Sequence, residues 1–210
     1  PFWYESVAKL KSSKLKLGTS KPVNPFIYGE TSISNIAKRF PINLIFKSFL
    51  YVSVILMLMY WRSYNYLFDK ILIQKRNYFY YFGIASAIFL FFHVFFLGSE
   101  IDNEIFQKLR RLIIILFILN ELFAQISLTK QLYLNSSKLS QYCYLSIIKL
   151  KVLFICVVVI SSVIVILLLI FYDLSSRVDY ILEWNYFLGL LFYYLLSSVM
   201  LKRLKYDVNS

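Results

Sequence analysis

Residues 152–172 read VLFICVVVISSVIVILLLIFY, and not one of them carries a charge. The hydrocarbon core of a bilayer is about 30 Å thick and takes roughly 20 apolar residues of helix to cross. Lipid offers the backbone no hydrogen-bond partners, so such a run must close its own ladder as a helix. The period-two alternation of a membrane strand is not seen here or elsewhere in the chain. Working outward from this stretch, four others have the same character: Ile42 to Trp61, Asn77 to Gly98, Leu112 to Thr129 and Ile181 to Leu201. The third is the least apolar, because Asn120, Glu121 and Gln125 interrupt it. The expected fold is therefore all-α, a polytopic transmembrane helical bundle of about five spans over 42–201. A polar segment, 1–41, precedes it and a short tail, 202–210, follows.

Composition agrees with this reading. Of the 210 residues 60% are hydrophobic and 20% aromatic, more apolar surface than a soluble domain of this length can hide. The formal charge of +12 raises the question of nucleic acid, but Lys and Arg sit between apolar runs and form no basic stripe. Membrane lipids with anionic headgroups are the expected partners, together with other membrane proteins, and nucleic acid is not expected. Cys143 and Cys156 give neither a disulfide framework nor a metal spacing.

Charge asymmetry sets the expected orientation. The loop Arg62 to Arg76, the loop Lys130 to Lys151 and the tail after Lys202 share one side and hold eleven basic residues against two acidic ones. That side is expected to be cytoplasmic. The 1–41 segment and the acidic residues Glu100, Asp102, Glu104, Asp173, Asp179 and Glu183 then face the lumen or exterior. The segment's seven basic residues argue the other way, although a long stretch counts for less in this rule. Its turn-forming run Lys21-Pro22-Val23-Asn24-Pro25 reads as a solvated loop.

An ionisable side chain inside a bilayer is costly, so it reflects a partner, a cavity or a function. Glu121 lies midway through the third span, beside Asn120, with Gln125 one helical turn later on the same face. This stripe is expected to face the bundle interior. Two readings stand: a site for a lipid headgroup, ion or proton, or a buried hydrogen-bonded contact between helices. His93 is the sole histidine and lies near one end of the second span. One histidine cannot supply the converging ligands of a catalytic zinc, so no metal is expected and His93 reads as an interhelical hydrogen-bonding group. The tight spacing of the run Gly98-Ser99-Glu100-Ile101-Asp102-Asn103-Glu104 suits a cation or a polar headgroup, but it lacks the ligand order of an EF-hand and reads first as solvated loop charge. Glu183-Trp184-Asn185 opens the fifth span, with Trp184 as an interfacial anchor. A glycine-rich phosphate loop, a nucleophile elbow, HExxH and CxxC are all missing, so no cofactor is expected and a non-enzyme reading is favoured.

Three patches, taken in order, resemble the DRAM/FRAG/SFK family, which includes autophagy modulators and GPI-anchor remodelling proteins of the secretory pathway. Thr31-Ser32-Ile33-Ser34-Asn35-Ile36-Ala37, followed by Arg39-Phe40-Pro41-Ile42-Asn43 and a span, resembles the family's Ser-Ile-Ser signature. Gly98-Ser99-Glu100-Ile101-Asp102 is similar to its Ser/Thr-Glu-Asp loop. Leu182-Glu183-Trp184-Asn185 is similar to the opening of its last helix. The resemblance covers roughly Pro25 to Lys202. It implies a further helix before the Ser-Ile-Ser loop, and the chain's opening on Pro1 in place of Met is read as a processed or truncated start. It also implies a His shortly after the Glu-Asp loop, where this chain departs and has Gln107 and Lys108. On this resemblance the expected function is lipid handling, most concretely GPI-anchor lipid remodelling in the endoplasmic reticulum, Golgi or plasma membrane. Ser32, Ser34, Glu100, Asp102 and Glu183 would line a lumenal headgroup site that Glu121 and Gln125 extend into the bilayer. A small-solute transporter or channel using Asn120, Glu121 and Gln125, and a non-catalytic scaffold, are the competing classes.

Overall fold

Each of the apolar stretches is helical in the computed structural model, which describes residues 24–28, 33, 37, 41–72, 77–97, 103–171 and 176–201. In chain order the helices are α1 (Pro25–Tyr28), α2 (Ile42–Leu72), α3 (Tyr78–Phe96), α4 (Glu104–Leu134), α5 (Ser136–Leu139), α6 (Leu145–Phe171) and α7 (Ser176–Met200). The sole strand-like pairing among the described residues is an isolated bridge between Cys143 and Leu201. Helices α2, α3, α4 and α6 are long and apolar enough to cross a membrane. The protein is thus an integral membrane protein with an all-α bundle.

Helix α7 is less apolar, and the reason lies in where its residues point. Its 25 residues would span about 37 Å at 1.5 Å per residue, enough to cross. Leu188, Leu191, Leu195 and Val199 face outward, while Tyr193 and Ser197 are buried against the other helices. A polar inner face and an apolar outer face are what a span at the centre of a polar contact requires. The outer face of α2 is more uniform. Leu44 and Phe49 are 68% and 69% exposed, and Val52, Ile55, Leu56 and Met59 continue the same surface. In water such a face would aggregate; in lipid it is in its own solvent.

The helices overrun the spans expected from hydropathy. Helix α2 does not stop at Trp61 but continues through Arg62 to Leu72. Met57, Trp61, Tyr64 and Phe68 recur at helical spacing and are all buried, so the inner face stays covered after the lipid-facing side has turned polar. The turn into α3 is held by Asn77, whose Nδ2 donates to Asn65 Oδ1 at 2.8 Å and Asp69 Oδ1 at 3.1 Å. Helix α4 starts at Glu104, where Asn103 Oδ1 accepts from the Ile105 amide at 2.9 Å as an N-cap. Part of the segment expected to be loop, Pro25–Tyr28, forms a helical turn, and Asn24 Oδ1 accepts from the Phe26 amide at 3.0 Å. This turn docks on α7: the Phe26 ring meets Trp184 edge-on, with centroids 5.5 Å apart. Trp184, expected as an interfacial anchor, is therefore also a packing partner.

Small residues let α3 approach both of its neighbours. Gly83, Ser86 and Ala87 are buried on α3, and Ala124 is buried on α4. Trp61 of α2 lies directly over Gly83. At the other end of α7 from Trp184, the start of α6 is tied to that helix's last turn by a Tyr144 amide to Met200 carbonyl bond of 2.9 Å.

Candidate functional site

Glu121 is fully buried near the middle of α4. Its carboxyl accepts from three helices' worth of donors. Ser86 Oγ of α3 lies 2.7 Å from Oε2. Tyr194 OH of α7 donates to Oε1 at 2.7 Å, and Gln125 Nε2, one turn along α4, donates to the same oxygen at 2.9 Å. A buried carboxyl without such partners would cost several kcal/mol, so these bonds are what make its position tolerable.

The polar stripe of α4 continues to Thr129, one turn beyond Gln125. Tyr193 OH donates to the Gln125 carbonyl at 3.2 Å and lies 3.2 Å from Thr129 Oγ1. The ring of Tyr193 then carries the network to a second ionisable group. Lys151 of α6 is fully buried, with Nζ 3.9 Å from that ring's centroid and donating to Ser197 Oγ at 2.6 Å. A hydroxyl has one hydrogen, and that of Ser197 goes to the Tyr193 carbonyl at 2.9 Å. Ser197 Oγ must therefore accept from Tyr60 OH, 2.9 Å away on α2, as well as from Lys151. The Tyr60 ring meets the Tyr194 ring edge-on at 4.7 Å, which closes the circuit back to Glu121. Each of the five long helices among the described residues contributes a polar side chain to this network. No family model, curated protein or solved structure matches the chain.

The residues singled out from the sequence divide into those the network contains and those it does not. Glu121 and Gln125 are at its centre, as their spacing implied. Asn120 is not part of it: its Nδ2 donates to the Leu116 carbonyl of its own helix at 2.7 Å, because one residue's rotation of about 100° turns it off the inner face. His93 is half-buried, and its Nδ1 has no hydrogen-bond partner among the described residues. Asn185 is exposed and donates to the carbonyls of Ile181, at 2.8 Å, and Phe26, at 3.1 Å. Glu183 is half-buried about two turns into the same end of α7. Asn185 lies nine residues before Tyr194, about 14 Å along the helix axis, so the opening of α7 and the Glu121 carboxyl are separate places. Ser32, Ser34, Glu100 and Asp102 lie outside the described residues.

Lys151 is the residue that sequence reasoning missed. Read as the last basic residue of a loop, it is in fact inside α6 and on its buried face, in phase with Ile148 and Ile155, whereas Lys149 is exposed. That phase was the available signal. Its position also yields a contrast in stability. Lys151→Met leaves Ser197 with its bonds to Tyr60 and Tyr193 and removes a desolvated cation, so it is expected to cost less than about 1 kcal/mol or to stabilise. Ser197→Ala strands both Lys151 Nζ and Tyr60 OH without their acceptor, at about 1–3 kcal/mol each. Thermal unfolding of the two purified variants should place Ser197→Ala well below Lys151→Met; the reverse order would show that Lys151 is held by a stronger partner.

Proposed function

We propose that this protein handles lipid from within the membrane, and that its specific task is in remodelling the lipid part of GPI anchors in the endoplasmic reticulum, Golgi or plasma membrane. The observation that carries lipid handling is the Glu121 carboxyl, held near the middle of a helix long and apolar enough to cross a membrane by donors from α3, α4 and α7, in a bundle whose outer faces are apolar. A carboxyl midway along such a helix lies nearer to acyl chains than to soluble substrates, and because Glu121 is fully buried an acyl chain would reach it by parting α4 from α3 or α7. The finer reading draws on the Ser-Ile-Ser, Ser-Glu-Ile-Asp and Glu-Trp-Asn patches and their order along the chain, which resemble the DRAM/FRAG/SFK family. In this reading the side carrying Glu183 and Asn185 faces the lumen and receives the headgroup.

The test is lipid mass spectrometry, including released GPI anchors, on cells lacking the protein and on cells rescued with wild type or Glu121→Gln at matched membrane abundance. The expected result is a changed acyl profile that wild type restores and Glu121→Gln does not. An unchanged profile on loss of the protein would sink the proposal. Small-solute transport is the second reading, favoured by the extension of the Glu121 stripe through Tyr193 to the buried cation Lys151. It requires flux in vesicles that Glu121→Gln alters.

A further inference from the structure

The Ser86 hydroxyl has two acceptors and one hydrogen. Its Oγ is 2.8 Å from the Gly83 carbonyl and 2.7 Å from Glu121 Oε2, and all three groups are buried. A single hydroxyl hydrogen cannot serve both acceptors. Two arrangements of hydrogens fill the same heavy-atom positions. In one, Glu121 is ionised and Ser86 donates to Oε2, leaving the Gly83 carbonyl as it would be in any helix. In the other, a proton sits on Oε2 and is donated to Ser86 Oγ, and Ser86 donates in turn to Gly83. The bonds from Tyr194 and Gln125 to Oε1 are the same in both.

We propose that Glu121 and Ser86 form an intramembrane proton-binding site, with Glu121 as the group that takes up and releases the proton and Ser86 as the positioning residue that adapts to either state. A carboxyl serving only as a contact between helices needs one satisfied state; this one has two. The proton comes from and returns to the aqueous phase as hydronium or buffer acid, so uptake converts the carboxylate to the acid and no other bond changes. The hydroxyls of Ser86 and Tyr194 are suited to pass it, because a hydroxyl accepts while it donates, whereas the Gln125 Nε2 that faces the carboxyl only donates. The groups around the carboxyl set the electrostatics of exchange: Ser86 from α3, Gln125 from α4, Tyr186, Tyr193 and Tyr194 from α7, Tyr60 from α2 behind Tyr194, and Lys151 from α6 behind Tyr193. The proposal does not rest on lipid handling; a protein with no lipid phenotype can still bind a proton here.

The test is infrared difference spectroscopy of the full chain in phosphatidylcholine vesicles as pH is stepped across the neutral range. The expected result is a carbonyl stretch of a protonated, buried carboxyl that grows as pH falls and is lost in Glu121→Gln. Ser86→Ala should keep that band but move it to the higher frequency of a less strongly hydrogen-bonded acid. Absence of a titrating band that Glu121→Gln removes would overturn the proposal, since Glu121 would then be locked in one state. If Glu121→Gln fails to fold, as judged by circular dichroism, Ser86→Ala decides alone: a shifted band supports the site and an unshifted one overturns it.

Discussion

Gly83→Ala is expected to destabilise the bundle by about 3 kcal/mol, at the upper end of what overpacking by one methyl costs. The added carbon would overlap the Trp61 indole ring itself, and three of that ring's carbons are its nearest neighbours. Trp61 has no exposed surface through which to swing away, so the strain falls on the spacing of α2 and α3. The change should appear as a lowered unfolding midpoint and reduced abundance. Because Trp61 Nε1 has no hydrogen-bond partner, Trp61→Phe removes volume without breaking a bond, and the double variant should recover much of the loss. Gly189→Ala is the control. There the new methyl would lie 3.7 Å from Phe154, an ordinary contact, and alanine favours the helix by roughly 1 kcal/mol. If Gly83→Ala were as benign as Gly189→Ala, the close approach of α2 to α3 described above would be wrong.

Glu121→Leu and Glu121→Gln should part sharply in stability. Leucine fills the space but strands Tyr194 OH and Gln125 Nε2, one on each of two helices. Each buried donor left alone costs about 1–3 kcal/mol in general and nearer 1 where the membrane-inserted reference state finds other partners, so a loss of roughly 2–4 kcal/mol is expected. Glutamine keeps an oxygen for both donors and offers an N–H to Ser86, which then turns to Gly83. It should therefore unfold within about 1 kcal/mol of wild type. Thermal unfolding in matched detergent separates the two; equal losses would mean that charge, not hydrogen bonding, holds the carboxyl in place.

Different parts of this molecule were written at different ranges in the sequence. Val152 to Tyr172 announced its helix because crossing a bilayer is a local property of consecutive residues. The burial of Glu121 with Gln125 was equally local, being a matter of one helical turn. The ends of α2 and α4 were not, because Arg62 and Lys108 mark where lipid gives way to water, and a helix packed on its inner face has no reason to stop there. Ser86, Tyr60, Tyr194 and Ser197 could not be picked out, since hydroxyl residues are common in such helices and only the fold selects which ones meet. Lys151 was hidden by its address. A lysine beside an apolar run ordinarily lets its ammonium reach the interface, and only its phase with Ile148 and Ile155 separates it from Lys149. The Ser-Ile-Ser and Ser-Glu-Ile-Asp patches lie mostly outside the described residues, so their part in any site rests on the sequence alone.

Helix α7 supplies the partners of Glu121, Thr129, Lys151 and Tyr60, yet it is made after all of them. A ribosome delivering this chain therefore presents the membrane with a carboxyl that has Ser86 and Gln125 but not Tyr194, and with an ammonium whose acceptor, Ser197, does not yet exist. During that interval α4 lacks one donor to its carboxyl and the Lys151 ammonium of α6 lacks its Ser197 acceptor, a state that lipid penalises. The network closes in one late step, when α7 enters and meets α2, α4 and α6 together. Nascent chains lacking α7 are the forms that a cell must shelter or destroy.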